Sequence, residues 1–598
     1  MKEKPENFTA GIHEDDYETC YLETMLDASL LVNTTSREKE SLNGKWKFAA
    51  DLYDTCRRQH WYKQERLDNA GRELPLDFEW ESFEDIIVPS CWNLQKPEWY
   101  YFEGTGVYTR TFRYFPKQKG ERLLLRFEGA AYRTSVFLNG KIIGTHDGAS
   151  TPFNADITDI AGEDNRIVVT VDARRSPYRL PMENTDWFNY GGIYRDIYLV
   201  RLPPVFIKDW FVRLSPDADQ ILASVRLETN GKDAAGTSAA GKVRMEIPGL
   251  GVRQEISVVN GQGDAVISVK PDLWSPDNPK LYDITFTSDV CNDTVSDRIG
   301  FRTIAAKGQE ILLNGKKIFL KGVCVHEDHF ELGKTTSEEI IRSTIRSLKE
   351  MNGNFLRLAH YPHDARFARI ADEEGVLLWE EIPVYWAVAF NNKETYIDAE
   401  NQLTELILRD RNRASVILWS IGNENADTDP RLAFMSRLAI KAKALDGTRL
   451  VSAACLIKHE KLVIEDRLED FLDVIGINEY YGWYDPDFDK LPLILENSNP
   501  SKPVIISEFG GDARLGQRGS IDELWTEDKQ KHIYQRQAET FKKCHYIAGT
   551  TPWILYDFRC PRRFNRYQEG FNRKGLIDLK RESKKPAFYV MRQFYGEL

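Results

Sequence analysis

The sequence predicts a multidomain protein of the β + α/β class: a jelly-roll sandwich, an immunoglobulin-like β-sandwich and a C-terminal TIM (β/α)8 barrel. Two observations support this prediction. The chain has 598 residues, which is too many for a single hydrophobic core. Its first half is rich in short β-type runs separated by Gly, Asn and Pro, whereas its second half alternates apolar runs with helical stretches. Such a change in pattern indicates β-domains followed by an α/β domain.

The first domain is predicted to span residues 41–203. Short β-rich runs such as RLLLRFEGA (122–130) recur there, and LNGKIIG (138–144) has the Asn-Gly signature of a tight hairpin. Antiparallel strands of this kind are typical of a jelly roll. Residues 1–40 are polar and acidic without clear periodicity, so we interpret them as an N-terminal extension of this domain.

The second domain is predicted to span residues 204–304. The pattern remains β, with runs such as ILASVRLET (221–229) and LYDITFTSD (281–289). A β-rich segment of about 100 residues suits one immunoglobulin-like sandwich.

The third domain is predicted to span residues 305–598. Helical stretches such as SEEIIRSTIRSLKEM separate eight apolar runs that we interpret as strands: FLKGV, GNFLRLA, VLLWEEI, VILWSIG, LVSAAC, VIGINE, PVIISEF and TPWILYDF. Eight such repeats match the period of a parallel barrel. An open doubly wound sheet is the weaker alternative, because no glycine-rich phosphate loop follows any of the runs.

Composition and charge exclude several functional classes. The formal charge is −12 with scattered acidic residues, which argues against nucleic acid or an anionic membrane as partner. Neither a signal-peptide pattern nor a membrane-spanning apolar stretch is present, so a cytoplasmic location is predicted. The 8 Cys are spread singly, which favours free thiols over a metal site or a disulfide framework. Aromatic residues reach 12%, which suits stacking on sugars or extra β-sandwich core.

Polar residues gather where the predicted barrel strands end, and catalytic groups of such barrels lie at the carboxyl ends of the strands. Two glutamates are prominent among them, Glu424 in LWSIGNEN and Glu508 in VIISEFGG. A carboxylate between a buried strand and a loop is partly desolvated, so its pKa can be shifted for chemical use. A pair of such carboxylates indicates acid/base or nucleophilic cleavage of a neutral bond, most simply a glycosidic bond.

An ordered set of motifs along nearly the whole chain resembles glycoside hydrolase family 2. They include RFEGAAYRTSVFLNGKIIG, DWFNYGGIYRDIYL, GFRTI, NFLRLAHYP, RDRNRASVILWSIGNEN, NEYYGWY, ISEFGG and WILYDFRCPRR. The resemblance implies the same three domains that the residue pattern predicts. It also implies a retaining mechanism, in which two carboxyl groups lie about 5 Å apart.

The resemblance assigns roles to individual residues. It makes Glu424 the general acid/base and Glu508 the nucleophile. Asn423 would bond the sugar 2-hydroxyl, and Tyr480 would bond the nucleophile. His326 is expected to contact the substrate and Trp553 to form the floor under the sugar, while Arg357 and His360 would support the nucleophile from behind. Leu358 departs from the small residue expected after Arg357.

The sugar has to be predicted separately, because the family cleaves β-galactosides, β-mannosides and β-glucuronides. Asn572 and Lys574 match the Asn-x-Lys motif with which β-glucuronidases of the family hold the substrate carboxylate. An ammonium and an amide donor in a desolvated pocket select an anion over a neutral sugar. Asp186 matches an acidic residue that bonds the distal hydroxyls, and Tyr484 matches a pocket tyrosine. An exo-acting β-glucuronidase is the leading prediction.

One departure keeps the alternatives open. The segment from Phe558 to Phe571 is longer and more basic than the β-glucuronidase pattern, and Gln568 lies near the position of an expected arginine. Arg562, Arg563 or Arg566 would have to substitute for it. A β-galacturonidase or a dual enzyme is therefore the first alternative and a β-galactosidase the second. From another class, a carbohydrate-binding protein without catalysis would also keep this fold.

The mechanism that the resemblance implies needs no cofactor and no metal. The family often forms homo-oligomers, so a homo-oligomer is expected here. The segment that follows Glu508 is short, which predicts a mouth without a long lid. The N-terminal extension, residues 1–40, is a candidate cover for it.

Overall fold

The computed structural model describes residues 24–63, 67, 70–229 and 240–598. It confirms the predicted fold class: two β-sandwiches precede a closed barrel of parallel strands. The strands before the barrel are β1 Lys39–Ser41, β2 Gly44–Asp51, β3 Glu84–Val88, β4 Thr105–Arg113, β5 Arg122–Phe127, β6 Arg133–Leu138, β7 Lys141–Asp147, β8 Phe153–Asp156, β9 Asp164–Asp172, β10 Ile197–Leu202, β11 Val205–Leu214, β12 Gln220–Thr229, β13 Gly241–Ile247, β14 Val252–Val258, β15 Gln262–Ser268, β16 Tyr282–Ser288 and β17 Thr294–Ile299.

The jelly roll packs a six-stranded antiparallel sheet, in the order β3-β2-β4-β9-β6-β7, against a four-stranded sheet, β1-β10-β5-β8. Alternate residues of the strands point inward, so that apolar side chains such as Trp46, Phe48 and Phe127 form one buried core. Between β9 and β10, residues 173–196 leave the sheets and carry Asp186 and Trp187 toward the barrel.

Part of the predicted N-terminal extension is packed against the rest of the protein. Leu26 donates its backbone N–H to Thr145, Leu31 is fully buried beside Phe206, and Arg37 forms a buried ion pair with Asp293. These contacts tie residues 24–40 to the jelly roll and the second sandwich. The remainder of the proposed cover for the mouth, residues 1–23, lies outside the described residues.

The second sandwich packs the sheet β11-β12-β15 against the sheet β14-β13-β16-β17. A small sheet follows, formed by β18 Ile304–Lys307, β19 Glu310–Leu313 and β20 Lys316–Lys317. Its Ile311 and Leu313 pack against Leu320 and Phe355 of the barrel. This sheet therefore closes the amino-terminal end of the barrel, and the opposite end remains available for a site.

The barrel is built from β21 Leu320–Val325, β22 Phe355–Leu358, β23 Leu377–Glu381, β24 Val416–Asn423, β25 Leu450–Cys455, β26 Val474–Asn478, β27 Val504–Glu508 and β28 Ile547–Thr550. The α-helices are Thr55–Arg58 in the jelly roll and Glu338–Glu350, Ala365–Glu374, Lys393–Asp410, Asp429–Leu445, Lys490–Asn497, Glu527–Phe541 and Pro586–Gly596 around the barrel. Short 3-10 helices are Trp61–Lys63, Trp80–Ser82, Trp92–Leu94, Pro97–Trp99, Pro248–Leu250 and Arg467–Phe471.

One predicted strand is wrong. The sequence pattern predicts TPWILYDF as the eighth strand, but β28 is the shorter segment Ile547–Thr550 that precedes it. TPWILYDF is buried because it lines the mouth of the barrel, and a buried loop cannot be told from a buried strand by its apolar residues alone. Trp553 therefore lies beyond the strand end. The segment continues into a two-stranded ribbon, β29 Phe558–Arg559 and β30 Phe571–Asn572.

None of the helices in the described part of the chain is long and apolar enough to cross a bilayer. Within the same residues, no group of three or more His, Cys, Asp and Glu side chains is arranged to hold a metal ion.

Candidate active site

Glu508 is the last residue of β27 and is almost completely buried. Arg357 donates to its Oε1 at 2.9 Å, and the Tyr480 hydroxyl donates to its Oε2 at 2.7 Å. Burial raises the pKa of Glu508 to about 8, against the opposing effect of Arg357. Each carboxyl oxygen is thus held by one donor. The predicted contact between Tyr480 and Glu508 is present in the geometry.

Arg357, on β22, is fully buried and connects several groups of the site. It contacts Glu381 through two nitrogens at 3.2 and 3.3 Å and donates to Oδ1 of Asn423 at 2.7 Å. Burial alone would lower the pKa of the guanidinium, but Glu381 and Glu508 raise it instead. Arg357 therefore remains charged and fixes Glu508 and Asn423 relative to each other.

Glu424 follows β24 and has a positive φ of 53°. Its backbone N–H donates to Ala454, and its Oε2 accepts a 2.6 Å hydrogen bond from the indole of Trp386. A positive φ is unusual for a residue other than glycine and marks a backbone held by its surroundings. The Trp386 indole also fixes one of the two carboxyl oxygens of Glu424.

Two opposing effects act on the Glu508 carboxyl group. Burial raises its pKa, and the charge of Glu424 adds to that shift. Glu508 also accepts hydrogen bonds on both oxygens, one of them from a guanidinium, which favours the negative charge there. The site therefore combines a desolvated carboxyl group with donors that stabilise its ionised form.

The side-chain amide of Asn423 uses only its oxygen atom in hydrogen bonds to described residues. Its Oδ1 accepts from Arg357 and, at 3.1 Å, from Asn478, while its Nδ2 is buried without a hydrogen-bond partner among the described residues. A buried amide donor without a partner is costly, so it points to a ligand group that completes it. This orientation agrees with the predicted bond to a sugar hydroxyl.

Aromatic rings form the wall beside the two glutamates. Trp553 stacks on His360 with ring centroids 4.8 Å apart, and His326 lies edge-on to Trp553 at 5.2 Å. Trp187, contributed by the jelly roll, packs against both histidines at 5.7 Å. The structure therefore brings His326, His360 and Trp553 together, as predicted. A planar apolar wall of this kind suits the C–H face of a sugar ring.

Both histidines of the wall are neutral near pH 7. Burial lowers the pKa of His326 well below its usual value and that of His360 to about 4. Nδ1 of His360 lies 2.7 Å from Glu381, and Nδ1 of His326 lies 3.0 Å from the Tyr361 hydroxyl. Nε2 of His326 is buried and without a partner among the described residues, so it can serve a substrate hydroxyl.

Lys574 is buried and contacts two polar side chains. Its Nζ lies 2.7 Å from Asp512 and 2.9 Å from the Tyr484 hydroxyl. Burial would lower the pKa of Lys574, but Asp512 raises it, so the ammonium stays charged. Asn572, also buried, accepts from the backbone N–H of Lys574 and donates to Asp186 at 3.2 Å. The four residues that the sequence selected for sugar choice, Asn572, Lys574, Asp186 and Tyr484, thus form one connected group.

Arg563 is the arginine of the basic segment that enters this group. It donates to the two oxygens of Asp186 at 2.5 and 3.2 Å and lies 3.4 Å from the Tyr484 hydroxyl. Arg566 is exposed and donates to Tyr567 instead. Gln568, which occupies the place of an expected arginine, is buried and donates to Asp512 at 3.0 Å.

Three residues of the site were not selected from the sequence for the roles that they occupy. Glu381 neutralises Arg357, Asp512 neutralises Lys574, and Trp386 holds Glu424. Glu381 could have been found, because it ends a predicted strand. Asp512 and Trp386 lie in loops, and nothing in their local sequence indicates which charge or carboxyl group they would meet.

Family models match three consecutive parts of the chain. The model described as the family 2 glycosyl hydrolase sugar binding domain matches residues 39–203, the model described as glycosyl hydrolases family 2 matches residues 205–302, and the family's TIM barrel domain matches residues 304–598. The chain therefore belongs to glycosyl hydrolase family 2 and is a glycoside hydrolase, which confirms the class predicted from the two glutamates.

Individual relatives refine this likeness. A β-glucuronidase of Paenibacillus borealis is 27% identical over 95% of this chain and 98% of its own length. A solved β-galacturonidase of Eisenbergiella tayi, bound to galacturonate, has a TM-score of 0.80 and 26% identity, covering 95% of this chain and 99% of its own. A β-glucuronidase of Ruminococcus gnavus, in complex with D-glucaro-δ-lactam, has a TM-score of 0.82 and 25% identity, covering 95% and 100%. The chain is thus β-glucuronidase-like within its family.

Proposed function

We propose that this protein is a retaining exo-β-glucuronidase that removes terminal β-D-glucuronic acid from its substrates. The observation that carries the proposal is the ammonium of Lys574, buried beside Asn572 at the same mouth as Glu424 and Glu508. Lys574 approaches the Tyr480 ring to 5.5 Å, and Tyr480 in turn bonds Glu508. The cation is therefore one side chain away from the nucleophile, a separation that a single sugar ring can bridge.

In the first step, the carboxylate of Glu508 attacks the anomeric carbon, and Glu424 donates its proton to the glycosidic oxygen as the bond to the aglycone breaks. The products are a covalent glycosyl–Glu508 ester and a neutral alcohol. The neutral Nδ2 donor of Asn423 is available for the sugar 2-hydroxyl, where hydrogen bonds strengthen in the transition state. Arg357 and Tyr480 keep Glu508 oriented for the attack.

In the second step, the ionised Glu424 accepts a proton from a water molecule, which attacks the same anomeric carbon. The ester bond breaks, Glu508 leaves as a carboxylate and Glu424 is protonated again. Two inversions give net retention, so the first product is the β-anomer of the free uronic acid. The two steps use only the carboxyl groups of Glu424 and Glu508 and one water molecule.

A β-galacturonidase or dual activity is the second candidate. Glucuronate and galacturonate differ only at C4, and the wall expected to face that position carries both an acceptor, Asp186, and a donor, Arg563. A hydroxyl of either configuration can bond to one of the two. The likeness to a β-galacturonidase also supports this candidate.

The test is a comparison of p-nitrophenyl β-glucuronide, β-galacturonide and β-galactoside as substrates of the purified protein. We expect the glucuronide to have the highest kcat/KM and the galactoside to be nearly inert. A higher value for the galacturonide would move the assignment to the second candidate, and a higher value for the galactoside would overturn both. Following the reaction by NMR checks the mechanism, because α-uronic acid as the first product contradicts retention.

A cytoplasmic location and a homo-oligomeric assembly are further parts of the proposal. The cysteines in the described residues are free thiols, which suits a reducing compartment. The assembly is inferred from the family resemblance alone. Sedimentation of the purified protein would test it.

A further inference from the structure

Beyond the sugar pocket, the structure has an open cavity on the side of Glu424. It is lined by Asp186 and Trp386 and by residues of the segment between β29 and β30, which include Arg562, Arg563 and Phe564. Because Glu424 is the acid of the proposed mechanism and gives a proton to the glycosidic oxygen, the aglycone leaves on the side where this residue lies. The Trp386 indole, bonded to Glu424 at 2.6 Å, marks that side.

The charge of this cavity is positive and incompletely balanced. The Arg562 guanidinium lies over the Trp386 ring, 5.0 Å from its centroid, and its side chain is 45% exposed. The carboxylate of Asp186 is 3.9 Å away from it and is already bound by Arg563 at 2.5 Å. Arg562 otherwise donates to the neutral amide of Asn184 at 3.2 Å. An arginine in this position has donors left for an incoming anion.

The same cavity offers apolar surface. Phe564 is 82% exposed and Tyr484 is 61% exposed, although both are large rings at the edge of a buried pocket. Aromatic faces that stay in contact with water next to an active site are suited to a ring-shaped ligand. Together with Trp386, they line the same cavity as Arg562.

We propose that Trp386, Arg562 and Phe564 form a leaving-group subsite that prefers a ring-shaped aglycone with an anionic substituent, a carboxylate or a sulfate. The proposal rests on the proposed function, because it assumes that Glu424 is the acid. The rings hold the body of the aglycone, and Arg562 pairs with its charge. An acidic oligosaccharide, in which a charged sugar follows the terminal uronic acid, has this chemistry.

The experiment uses three aryl β-glucuronides whose aglycones differ in charge: methyl 4-hydroxybenzoate, 4-hydroxybenzoate and 4-hydroxybenzenesulfonate. The readout is kcat/KM of each, in the wild type and in Arg562→Gln. We expect the variant to lose about 10-fold on one or both charged substrates and less than about 2-fold on the neutral ester, as for one charge-assisted hydrogen bond. The carboxylate and sulfonate arms separate the two kinds of anion.

Arg566→Gln is the matched control, because Arg566 belongs to the same segment, is exposed and contacts Tyr567. It should leave all three values unchanged. Added salt should reduce the preference of the wild type for the charged substrates. Two results would overturn the subsite. In one, Arg562→Gln loses kcat/KM equally on charged and neutral substrates; in the other, Arg562→Gln and Arg566→Gln have the same effect.

A failure of the proposed function would look different. If no glucuronide is cleaved but p-nitrophenyl galacturonide is, the same aglycones attached to galacturonic acid test the subsite, and the substrate pattern of Arg562→Gln decides as before. If the protein cleaves glucuronides without any difference between the charged and neutral aglycones in the wild type, the sugar assignment stands and the subsite is wrong.

Discussion

Arg357 and Glu508 form a buried ion pair at 2.9 Å, and neither side chain is more than 6% exposed to solvent. The same guanidinium contacts Glu381 and Asn423, so one cation sets the positions of the Glu508 carboxylate and of the Asn423 amide. Its charge also opposes the effect of burial on Glu508. Charge balance and geometry at the site thus depend on one residue.

Arg357→Lys should test this dependence. Lysine keeps the charge but has no planar fork, so it cannot hold Glu381, Glu508 and Asn423 at once. We expect kcat to fall by about 10²-fold or more with a smaller change in KM, because the orientation of reacting groups is lost while the sugar contacts remain. Steady-state kinetics and circular dichroism measure this. If the variant instead loses kcat/KM only because KM rises, and kcat is unchanged, the assignment is contradicted.

The two glutamates should differ in how their loss depends on the leaving group. Glu508→Gln should reduce hydrolysis of every glucuronide by about 10⁴-fold or more. Glu424→Gln should spare an activated aryl leaving group far more than an alkyl one, because only the poor leaving group needs a proton. Rates on both substrate types, measured for both variants, check the assignment. A stronger leaving-group dependence in Glu508→Gln would exchange the two roles.

Trp386→Phe removes the indole donor to Glu424 and keeps an aromatic ring. We expect a loss of about 10-fold in kcat/KM for alkyl glucuronides and a smaller loss for p-nitrophenyl glucuronide, because Trp386 positions the acid and takes no part in the attack. A plot of log(kcat/KM) against leaving-group acidity should become steeper. A uniform loss across the series would mean that the indole acts only on the local fold.

Lys574 and Asp512 should be separable by a double-mutant cycle. Lys574→Met leaves Asp512 buried without its cation, which should lower the free energy of unfolding by about 3 kcal/mol. Adding Asp512→Asn should restore much of that stability. Activity on the glucuronide should stay low in both, because neither has the ammonium. Recovery of glucuronide activity in the double variant would remove Lys574 from substrate binding.

His360 should make the protein less stable as the pH falls. Burial lowers its pKa in the folded protein to about 4, below the value of about 6.5 of a free imidazole, so the unfolded chain binds the proton first. The stability that the neutral ring contributes is complete above about pH 6.5 and is lost as the pH falls toward 4, by up to about 3 kcal/mol. Urea unfolding across that range measures it, and His360→Asn should show a shallower dependence. An equal slope in the variant would disprove the assignment to His360.

Much of the fold and the two glutamates could be predicted because their signals are local. Glu424 and Glu508 each come at the end of an apolar strand, and the apolar residues of that strand are part of the sequence motif that identifies the glutamate. The eighth strand was misplaced because TPWILYDF is as apolar as a strand without being one.

The ionic contacts of the site could not be predicted in the same way. Asp512 meets Lys574, Asp186 meets Arg563, and both contacts join loops that are distant in sequence. The sequence predicts that Lys574 binds the substrate carboxylate, but it does not indicate that Asp512 keeps the ammonium charged. Which of the three candidate arginines would enter the pocket depended on the path of the segment between β29 and β30.

That segment is anchored at its base, where Cys560 and Asn572 are buried against Asp186, while Phe564 at its tip is open to solvent. The base of the segment is therefore fixed by buried contacts, whereas a substitution at the tip breaks none of these contacts. Under the proposed leaving-group subsite, substitutions at Arg562 and Phe564 should alter which molecules the enzyme releases the sugar from, while Arg563 keeps its contact with Asp186. The ribbon would thus separate the residues that choose the leaving group from the residues that carry out the cleavage.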